Sequence, residues 1–113
     1  MSHLLHTSAL SFEAARQVDL LPEGHRSRRL HGHSFLAHVR APLPAGWAPF
    51  PGAEFGELRD RLAVALAPLD YRDLNTVLAC PTDENLARWL RERMDLPAAT
   101  TFGIQSTADE GVD

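Results

Sequence analysis

The stretch His31-Gly32-His33-Ser34-Phe35-Leu36-Ala37-His38-Val39-Arg40 decides the fold. Its side chains alternate in character, which is the period of a half-buried β-strand. The face that we expect to be buried carries five side chains: His31, His33, Phe35, Ala37 and Val39. The opposite face is mainly polar, and the run ends near Pro42. The sequence therefore predicts a sheet with one face packed against another layer.

Two further segments predict strands of the same kind. Residues 4–14 alternate, and one parity holds Leu4, His6, Ser8, Leu10, Phe12 and Ala14. Residues 100–106 form a third predicted strand, and we expect the acidic residues after it to be frayed. The intervening residues 20–30 and 42–53 contain proline and glycine, so both are expected to be loops or turns.

The chain changes to a helical period after residue 53. Residues 54–67 predict an amphipathic helix, because apolar side chains recur at helical spacing: Phe55, Leu58, Leu62, Ala65 and Leu66. Pro68 helps to end this helix, and residues 70–75 form a polar turn. A second helix is predicted after the N-cap Thr82, and Pro97 closes it. Its apolar stripe is expected to pack in the core: Leu86, Trp89, Leu90 and Met94.

The order of these elements predicts the fold class. Strand, strand, helix, helix, strand is typical of an α+β protein with two helices on one face of an antiparallel sheet. A chain of 113 residues suits one domain, which we place at residues 1–113. The composition, 44% hydrophobic and 23% charged, argues against wholesale disorder.

Charge and hydropathy exclude several classes of function. Fifteen acidic and eleven basic residues give a net charge of −4, without the basic face of a nucleic-acid-binding protein. No apolar run approaches the ~20 residues of a membrane helix, and the N-terminus lacks a signal-peptide pattern. We therefore expect a cytoplasmic protein with no nucleic-acid or membrane partner. The single Cys80 is expected to be a small buried hydrophobe rather than a nucleophile.

Four residues are candidates for chemistry. His31 and His33 share a strand face, so they could bind one Zn²⁺, or they could be ordinary polar strand residues. A zinc site also needs a third protein ligand. Asp70 could transfer protons as a carboxylate or could simply cap its turn. Ser27 has no His or Lys next to it in sequence to activate it, and is expected to be a loop serine.

Five ordered motifs resemble those of the 6-pyruvoyl-tetrahydropterin synthase family. They are Ser11-Phe12-Glu13-Ala14-Ala15, Pro22-Glu23-Gly24-His25, Arg29-Leu30-His31-Gly32-His33-Ser34-Phe35, Leu69-Asp70-Tyr71-Arg72-Asp73-Leu74-Asn75 and Pro81-Thr82-Asp83-Glu84-Asn85. Residues 22–35 most resemble the bacterial branch, the 6-carboxytetrahydropterin synthases of queuosine biosynthesis. The resemblance covers about residues 8–113.

The resemblance implies a tunnelling fold, in which an antiparallel sheet carries two helices on one face. It implies trimers that stack into hexamers, with active sites between subunits. The family reaction eliminates triphosphate from dihydroneopterin triphosphate. In the family, three histidines hold Zn²⁺, a cysteine, an aspartate and a histidine transfer protons, and a glutamate binds the pterin ring. Since the sequence stops at Asp113, about where the family's fourth strand should run, we expect a shortened last strand.

The metal ligands depart from the family pattern. Arg16 stands where the family has its first zinc histidine, and His31 and His33 match the other two. An arginine has no free lone pair and stays protonated, so it cannot bind a cation and repels one nearby. We therefore expect zinc to bind weakly or not at all, unless another residue such as His25 replaces the ligand. The guanidinium would instead act as a fixed positive charge.

The resemblance assigns catalysis to Asp70, Ser27 and Tyr71, and two of these are replacements. Ser27 stands for the family's cysteine and Tyr71 for its histidine. Neither hydroxyl titrates near neutral pH as those groups do, so acid–base steps worth roughly 10²–10⁴ each should be weakened. Gln105 stands for the pterin-binding glutamate. With Arg16 it could hold an oxidised purine or pterin ring, as a glutamine and an arginine do in the related urate oxidases, or it could bind nothing.

Three functions remain open at this point. The first is a pterin- or purine-binding protein without lyase activity, either a homo-oligomer or a subunit assembled with an active paralogue. The second is an active 6-carboxytetrahydropterin synthase-type lyase that acts on dihydroneopterin triphosphate. The third is a structural or regulatory subunit with an empty pocket.

Overall fold

The computed structural model describes residues 4–18, 21–106 and 111–113, except the side chain of Ser27. Within them the elements follow the order β1 (His6–Arg16), β2 (His31–Ala41), α1 (Glu54–Leu66), β3 (Arg72–Asp73), α2 (Asp83–Arg93), β4 (Thr101–Gln105) and β5 (Gly111–Val112). Short 3-10 turns lie at Arg26–Arg28 and Leu74–Thr76. The three predicted strands and two predicted helices are confirmed, and the two-residue strands β3 and β5 add to them.

The strands form one sheet in the order β3-β1-β2-β4-β5. β1 and β2 are antiparallel over eleven residue pairs, from His6 opposite Ala41 to Arg16 opposite His31. β4 pairs antiparallel with β2, and β5 pairs antiparallel with β4. β3 pairs in parallel with β1, so the expectation of a wholly antiparallel sheet is wrong at this edge. The reason is that β3 returns to β1 by way of α1 rather than through a hairpin.

The core lies between the sheet and the two helices. One face of β1, β2 and β4 joins α1 and α2 in a single buried cluster that includes Phe12, Phe35, Leu62, Leu90 and Ile104. The rings of Phe12 and Phe35 are opposite each other in register and stack with centroids 5.0 Å apart. The core stripe predicted for α2 is confirmed. Both helices therefore cover the same face of the sheet, as predicted.

Two residues of the predicted apolar faces are exposed. Phe55 is 65% exposed, because it lies in the first turn of α1, where its ring lies against that of His6 instead of the core. Leu4 is 78% exposed, because β1 begins only at His6. The other residues of the stripe predicted for α1 are buried as expected.

The helix ends follow the predicted capping chemistry. Oγ1 of Thr82 accepts a hydrogen bond from the backbone N–H of Asn85 at 3.2 Å, which caps α2. α2 ends at Arg93 with Met94 as its C-cap, so Pro97 lies beyond the helix and does not itself close it. α1 ends at Leu66, with Ala67 as its C-cap immediately before a proline. Among the residues that the structure describes, no helix has the length and apolarity needed to cross a membrane.

The C-terminal residues are paired rather than frayed. Gly111–Val112 form β5 against the end of β4, and the Asp113 carboxylate lies 2.8 Å from Nε2 of His38. Gly103 makes room for this contact, because a Cβ there would collide with the His38 ring. The expectation of a frayed end is therefore wrong for residues 111–113, whereas Asp109 and Glu110 lie outside the described residues. Within the described residues the last strand has two residues.

Replacing Thr82 by Ala is expected to lower the free energy of unfolding by about 1 kcal/mol, because the first turn of α2 loses its side-chain acceptor. Urea unfolding followed by circular dichroism measures the change. Thr82→Ser is the matched control, since it keeps the oxygen and should stay close to the original chain. Equal losses in the two variants would contradict the capping role.

Candidate functional site

Three nitrogen-bearing side chains meet at one end of the β1–β2 ladder. Arg16 is opposite His31 in register, and His33 is opposite Ala14. Because residues paired across strands share a face, all three side chains lie on the face that the helices cover. The rings of His31 and His33 meet edge to face with centroids 4.6 Å apart. The predicted placement of the two histidines on one face is confirmed.

The side chain of Arg16 is buried and paired. Its Nη1 donates to Oδ1 of Asp83 at 2.7 Å and to the carbonyl oxygen of Pro81 at 3.0 Å. The guanidinium carbon also lies 5.0 Å from the centre of the Phe35 ring. The Nε atom is buried and has no hydrogen-bond partner among the described residues. A cation therefore does stand beside the histidines, and its charge is matched by one carboxylate.

Asp83 connects three elements through that carboxylate. It is the first residue of α2, where the helix dipole favours a negative charge. While Oδ1 binds Arg16, Oδ2 accepts a hydrogen bond from the hydroxyl of Ser106 at 2.9 Å. The side chains of Arg16 and Asp83 are only 10% and 13% exposed. This buried ion pair therefore ties β1 to α2 and to the end of β4.

His33 is partly buried and lies near positive charges. Burial lowers the pKa of His33 from its usual value, the charges of Arg16 and His31 lower it further, and Asp83 acts in the opposite direction. Nδ1 of His31 lies 2.7 Å from the carbonyl oxygen of Arg29, within hydrogen-bonding distance. A positive charge that disfavours protonation of His33 also disfavours a metal cation at the same place.

The residues present do not fit a three-histidine zinc site. The position of the first expected ligand holds a guanidinium, which offers only donors. His25 is exposed, and in residues 4–18, 21–106 and 111–113 no three His, Cys, Asp or Glu side chains come together so that they could hold a metal ion. His31 and His33 alone fall short of the three protein ligands of a catalytic zinc site.

Asp70 and Tyr71 lie in the turn that leads into β3. Oδ1 of Asp70 accepts a hydrogen bond from the backbone N–H of Glu13 at 3.0 Å, and the N–H of Tyr71 donates to the carbonyl oxygen of Glu13 at 2.6 Å. Tyr71 has a φ of 56°, in the left-handed region, and is 82% exposed. Of the two alternatives for Asp70, the structure shows the turn-fixing contact.

The rest of this turn is also bound to β1. The side chain of Asn75 forms two hydrogen bonds with the backbone of Gln17: Oδ1 accepts from its N–H at 2.8 Å, and Nδ2 donates to its carbonyl oxygen at 3.0 Å. Oδ1 of Asp73 accepts from the N–H of Asn75 at 3.0 Å. The turn therefore holds a defined position against the end of β1.

An open groove of about 530 Å³ lies between this turn and the β1–β2 ladder. Three small residues line it: Ala14, Ala15 and Gly32. Six larger residues line it too: Glu13, His33, Ser34, Tyr71, Arg72 and Asp73. Glu13 and Ser34 are paired in register and lie on the face opposite to that of the His33 side chain, so the groove brings these two residues close to Tyr71.

Among the described side chains, those of Gln105 and Cys80 do not line this groove. Gln105 is opposite Leu36 in register, so its side chain lies on the face of the sheet opposite to that of Arg16. Within one chain the two side chains therefore lie on opposite faces of the sheet, and their joint binding of a ring stays a prediction. Ser27 lies in the turn Arg26–Arg28, and its side chain is outside the described part of the structure. Cys80 is half-buried.

Sequence reasoning missed the partners of Arg16. Asp83 was recognisable only as an acidic residue in the first turn of a helix, and Ser106 carried no signal at all. The signal available was the parity of β1, because Arg16 follows Phe12 and Ala14 on the apolar face. A cation on a buried face needs an anion nearby, and the acidic start of α2 was the natural source.

Comparisons with known proteins agree with this architecture. The model of the 6-pyruvoyl tetrahydropterin synthase family matches residues 6–105. Over 86 residues the chain is 31% identical to dihydroneopterin monophosphate aldolase of Pyrococcus furiosus, covering 74% of this chain and 68% of that protein. 6-Pyruvoyl tetrahydropterin synthase of Caenorhabditis elegans aligns over 98% of this chain and 96% of its own, with a TM-score of 0.69 and 18% identity. An uncharacterized protein from Wolinella succinogenes aligns over 96% and 97%, with a TM-score of 0.53 and 16% identity. The predicted tunnelling fold is confirmed.

Arg16→Met is expected to lower the free energy of unfolding by about 3–5 kcal/mol, because it leaves a buried carboxylate without its cation. The double variant with Asp83→Asn should lose less than the sum of the two single changes. Urea unfolding of the four proteins gives the coupling energy, which we expect to exceed about 1 kcal/mol.

The matched control for this cycle is Arg61→Met, which breaks the half-buried i,i+4 pair of Arg61 with Glu57 and the contact of its guanidinium with the Trp47 ring. Such a pair is worth less than about 1 kcal/mol. Strictly additive losses for Arg16 and Asp83, or a loss no larger than that of Arg61→Met, would show that the ion pair does not hold the fold together.

Proposed function

Because the chain belongs to the 6-pyruvoyl tetrahydropterin synthase family, we propose that it binds a pterin- or purine-like ring and lacks the family's zinc-dependent elimination reaction. In this proposal the chain is a binding protein or a non-catalytic subunit rather than a synthase. The observation that carries it is the buried ion pair of Arg16 with Asp83 beside the two histidines.

The ion pair argues against the metal on physical grounds. A zinc ion between the histidines would need Arg16 to move away, and that would leave Asp83 buried without a cation. Alternatively the zinc would have to accept a guanidinium as its neighbour, which repels it. Family chemistry that depends on zinc therefore lacks support from the residues of this chain.

Of the groups expected to transfer protons, the Asp70 carboxylate accepts a backbone hydrogen bond and the family's histidine is replaced. One oxygen of Asp70 binds the backbone N–H of Glu13, where it fixes a turn. Tyr71 stands beside it in place of the family's histidine. Without an imidazole next to Asp70, the chain has no proton shuttle of the family's kind at this position.

The class of ligand follows from the relatives. One relative is named for its action on dihydroneopterin monophosphate, and one solved structure is a 6-pyruvoyl tetrahydropterin synthase. A pterin is therefore the first candidate for the ring, and a purine with the same 2-amino-4-oxo pattern is the second. The open groove at the β1–β2 ladder supplies the space.

A specific observation favours a second candidate function. The 31% identity to dihydroneopterin monophosphate aldolase supports a lyase that acts on a phosphorylated dihydroneopterin. In that case the retained residues, His31, His33 and Asp70, would take part in a reaction other than triphosphate elimination. Turnover by the purified protein separates this candidate from the first.

We also infer that the chain assembles with copies of itself or with an active homologue. β1 pairs with β3 at only two positions, so within the described residues most of its outer edge has no strand neighbour. Such an edge is open to pairing with another chain. Sedimentation of the protein alone, and with a catalytically complete family member, tests both forms of assembly.

Protein purified without chelators is expected to carry far less than one zinc per chain, measured by inductively coupled plasma mass spectrometry. Arg16→His removes the guanidinium and adds a third imidazole opposite His31, so its zinc content should rise towards one per chain. Arg16→Gln is the matched control, because it removes the charge without adding a strong ligand and should stay low.

Two results would contradict the proposal that this chain does not bind zinc. One is a full zinc complement in the original chain, which would favour the lyase. The other is the same zinc content in Arg16→His and Arg16→Gln, which would show that position 16 does not decide metal binding. Circular dichroism of each variant confirms that it is folded before its metal is counted.

Ring binding without turnover is the second expectation. A pterin or guanine at 100 times its dissociation constant should stabilise the protein by ~2.7 kcal/mol, seen as a rise in Tm. Dihydroneopterin monophosphate and triphosphate should remain unchanged on incubation, followed by liquid chromatography. Turnover of either would establish the lyase, and no thermal shift with any ring would favour a structural or regulatory subunit.

A further inference from the structure

We propose that the groove beside β3 is the ring-binding site, where Tyr71 stacks on a planar 2-amino-4-oxo heterocycle and the carboxylate of Glu13 binds its N–H edge. This inference rests on the proposed function, and it gives the ring a place and two contacts. Pterins and guanine share the recognised edge, a ring N–H beside an exocyclic amino group. Glu13 and Tyr71 both line the groove, whereas Gln105 does not.

The groove is large enough for a flat ring. Its volume of about 530 Å³ is within the range of small-molecule sites. Small residues of the β1–β2 ladder line it, among them Gly32, where a Cβ would meet only the carbonyl oxygen of Ala14 at 3.8 Å. A side chain at position 32 would therefore occupy space in the groove without colliding with the protein.

The backbone of Tyr71 has a conformation that residues with an ordinary side chain rarely adopt. Its φ of 56° is in the left-handed region, which residues other than Gly, Asn and Asp seldom adopt. The backbone contacts of Tyr71 and Asp70 with Glu13 hold it there. Strain of this kind is concentrated at ligand sites. Since the side chain is 82% exposed, its aromatic face is free to stack on a ring in the groove.

Glu13 supplies the acceptor for the ring's N–H edge. The hydroxyl of Ser34 donates to Oε2 of Glu13 at 2.7 Å, which orients the carboxylate. An ionised carboxylate has about four acceptor positions on two oxygens, so it retains the capacity to accept two parallel N–H bonds. The other groove carboxylate, Asp73, already accepts from Asn75, and Arg72 offers only donors. Glu13 is therefore the group that matches an amidine-like edge.

The first experiment fills the groove. Gly32→Val places a side chain in the groove, and valine is favourable in a strand. Ser11→Val is the matched control, because position 11 lies on the same face of the sheet but away from the groove. Isothermal titration calorimetry with 7,8-dihydroneopterin, neopterin and guanine measures the dissociation constants. We expect Gly32→Val to weaken binding by about tenfold or more and Ser11→Val to leave it within about twofold.

The second experiment removes the two contacts. Tyr71→Asn keeps the left-handed backbone but loses the ring, and Tyr71→Phe keeps the aromatic face. We expect Tyr71→Asn to weaken ring binding by about tenfold and Tyr71→Phe to leave it nearly unchanged. Glu13→Gln should weaken binding of guanine but not of hypoxanthine, which lacks the exocyclic amino group, because one acceptor of the bidentate contact is lost.

The outcomes separate this inference from the proposed function. If the original chain binds none of the rings, the proposed function fails and the groove assignment fails with it. If the original chain binds a ring but Gly32→Val and Tyr71→Asn bind as tightly as Ser11→Val, the ring lies elsewhere and only the groove assignment is wrong. A Tm for each variant within a few degrees of the original confirms that the fold is intact.

Discussion

The ion pair of Arg16 with Asp83 is the constraint on which the rest of the site depends. It joins the last residue of β1 to the first residue of α2, and the second oxygen of the carboxylate reaches Ser106 beyond β4. Sheet and helix are therefore held together at the end of the molecule where the histidines lie. Because both side chains are largely buried, neither can be recruited by a ligand without a cost in stability.

This arrangement separates two roles that one metal could combine. A zinc ion can hold ligands from several elements together and can also polarise a substrate. The ion pair of Arg16 with Asp83 performs the first role, because it joins β1 to α2. Under the proposed function, neither ring binding nor the joining of these two elements requires a metal. The groove beside β3 lies at the same end of the ladder but uses other residues.

The sequence predicted what depends on local pattern and missed what depends on distant contacts. β2 was identifiable from its two-residue alternation, and α2 from its helical period and its N-cap. Each of these signals lies within about a dozen residues of sequence. The ion pair joins residues 67 positions apart, and the parallel pairing of β3 has no local signature. The face of Gln105 was predictable in principle, because Phe102 and Ile104 are apolar and fix the parity of β4. The family resemblance outweighed that parity and placed Gln105 with Arg16.

The return of β3 to β1 also affects how the chain folds. Glu13 and Asp70 are 57 residues apart, so forming this contact costs the chain entropy of closing a long segment. The strand that follows, β3, has only two residues whose pairing can offset that cost. Long-range parallel pairing of this kind forms slowly, and weakly paired segments open first by local unfolding. A planar molecule bound between Tyr71 and β1 would contact both of these distant segments. Its binding would then slow hydrogen exchange of the backbone amides of residues 70–75, while exchange in the packed core would stay the same.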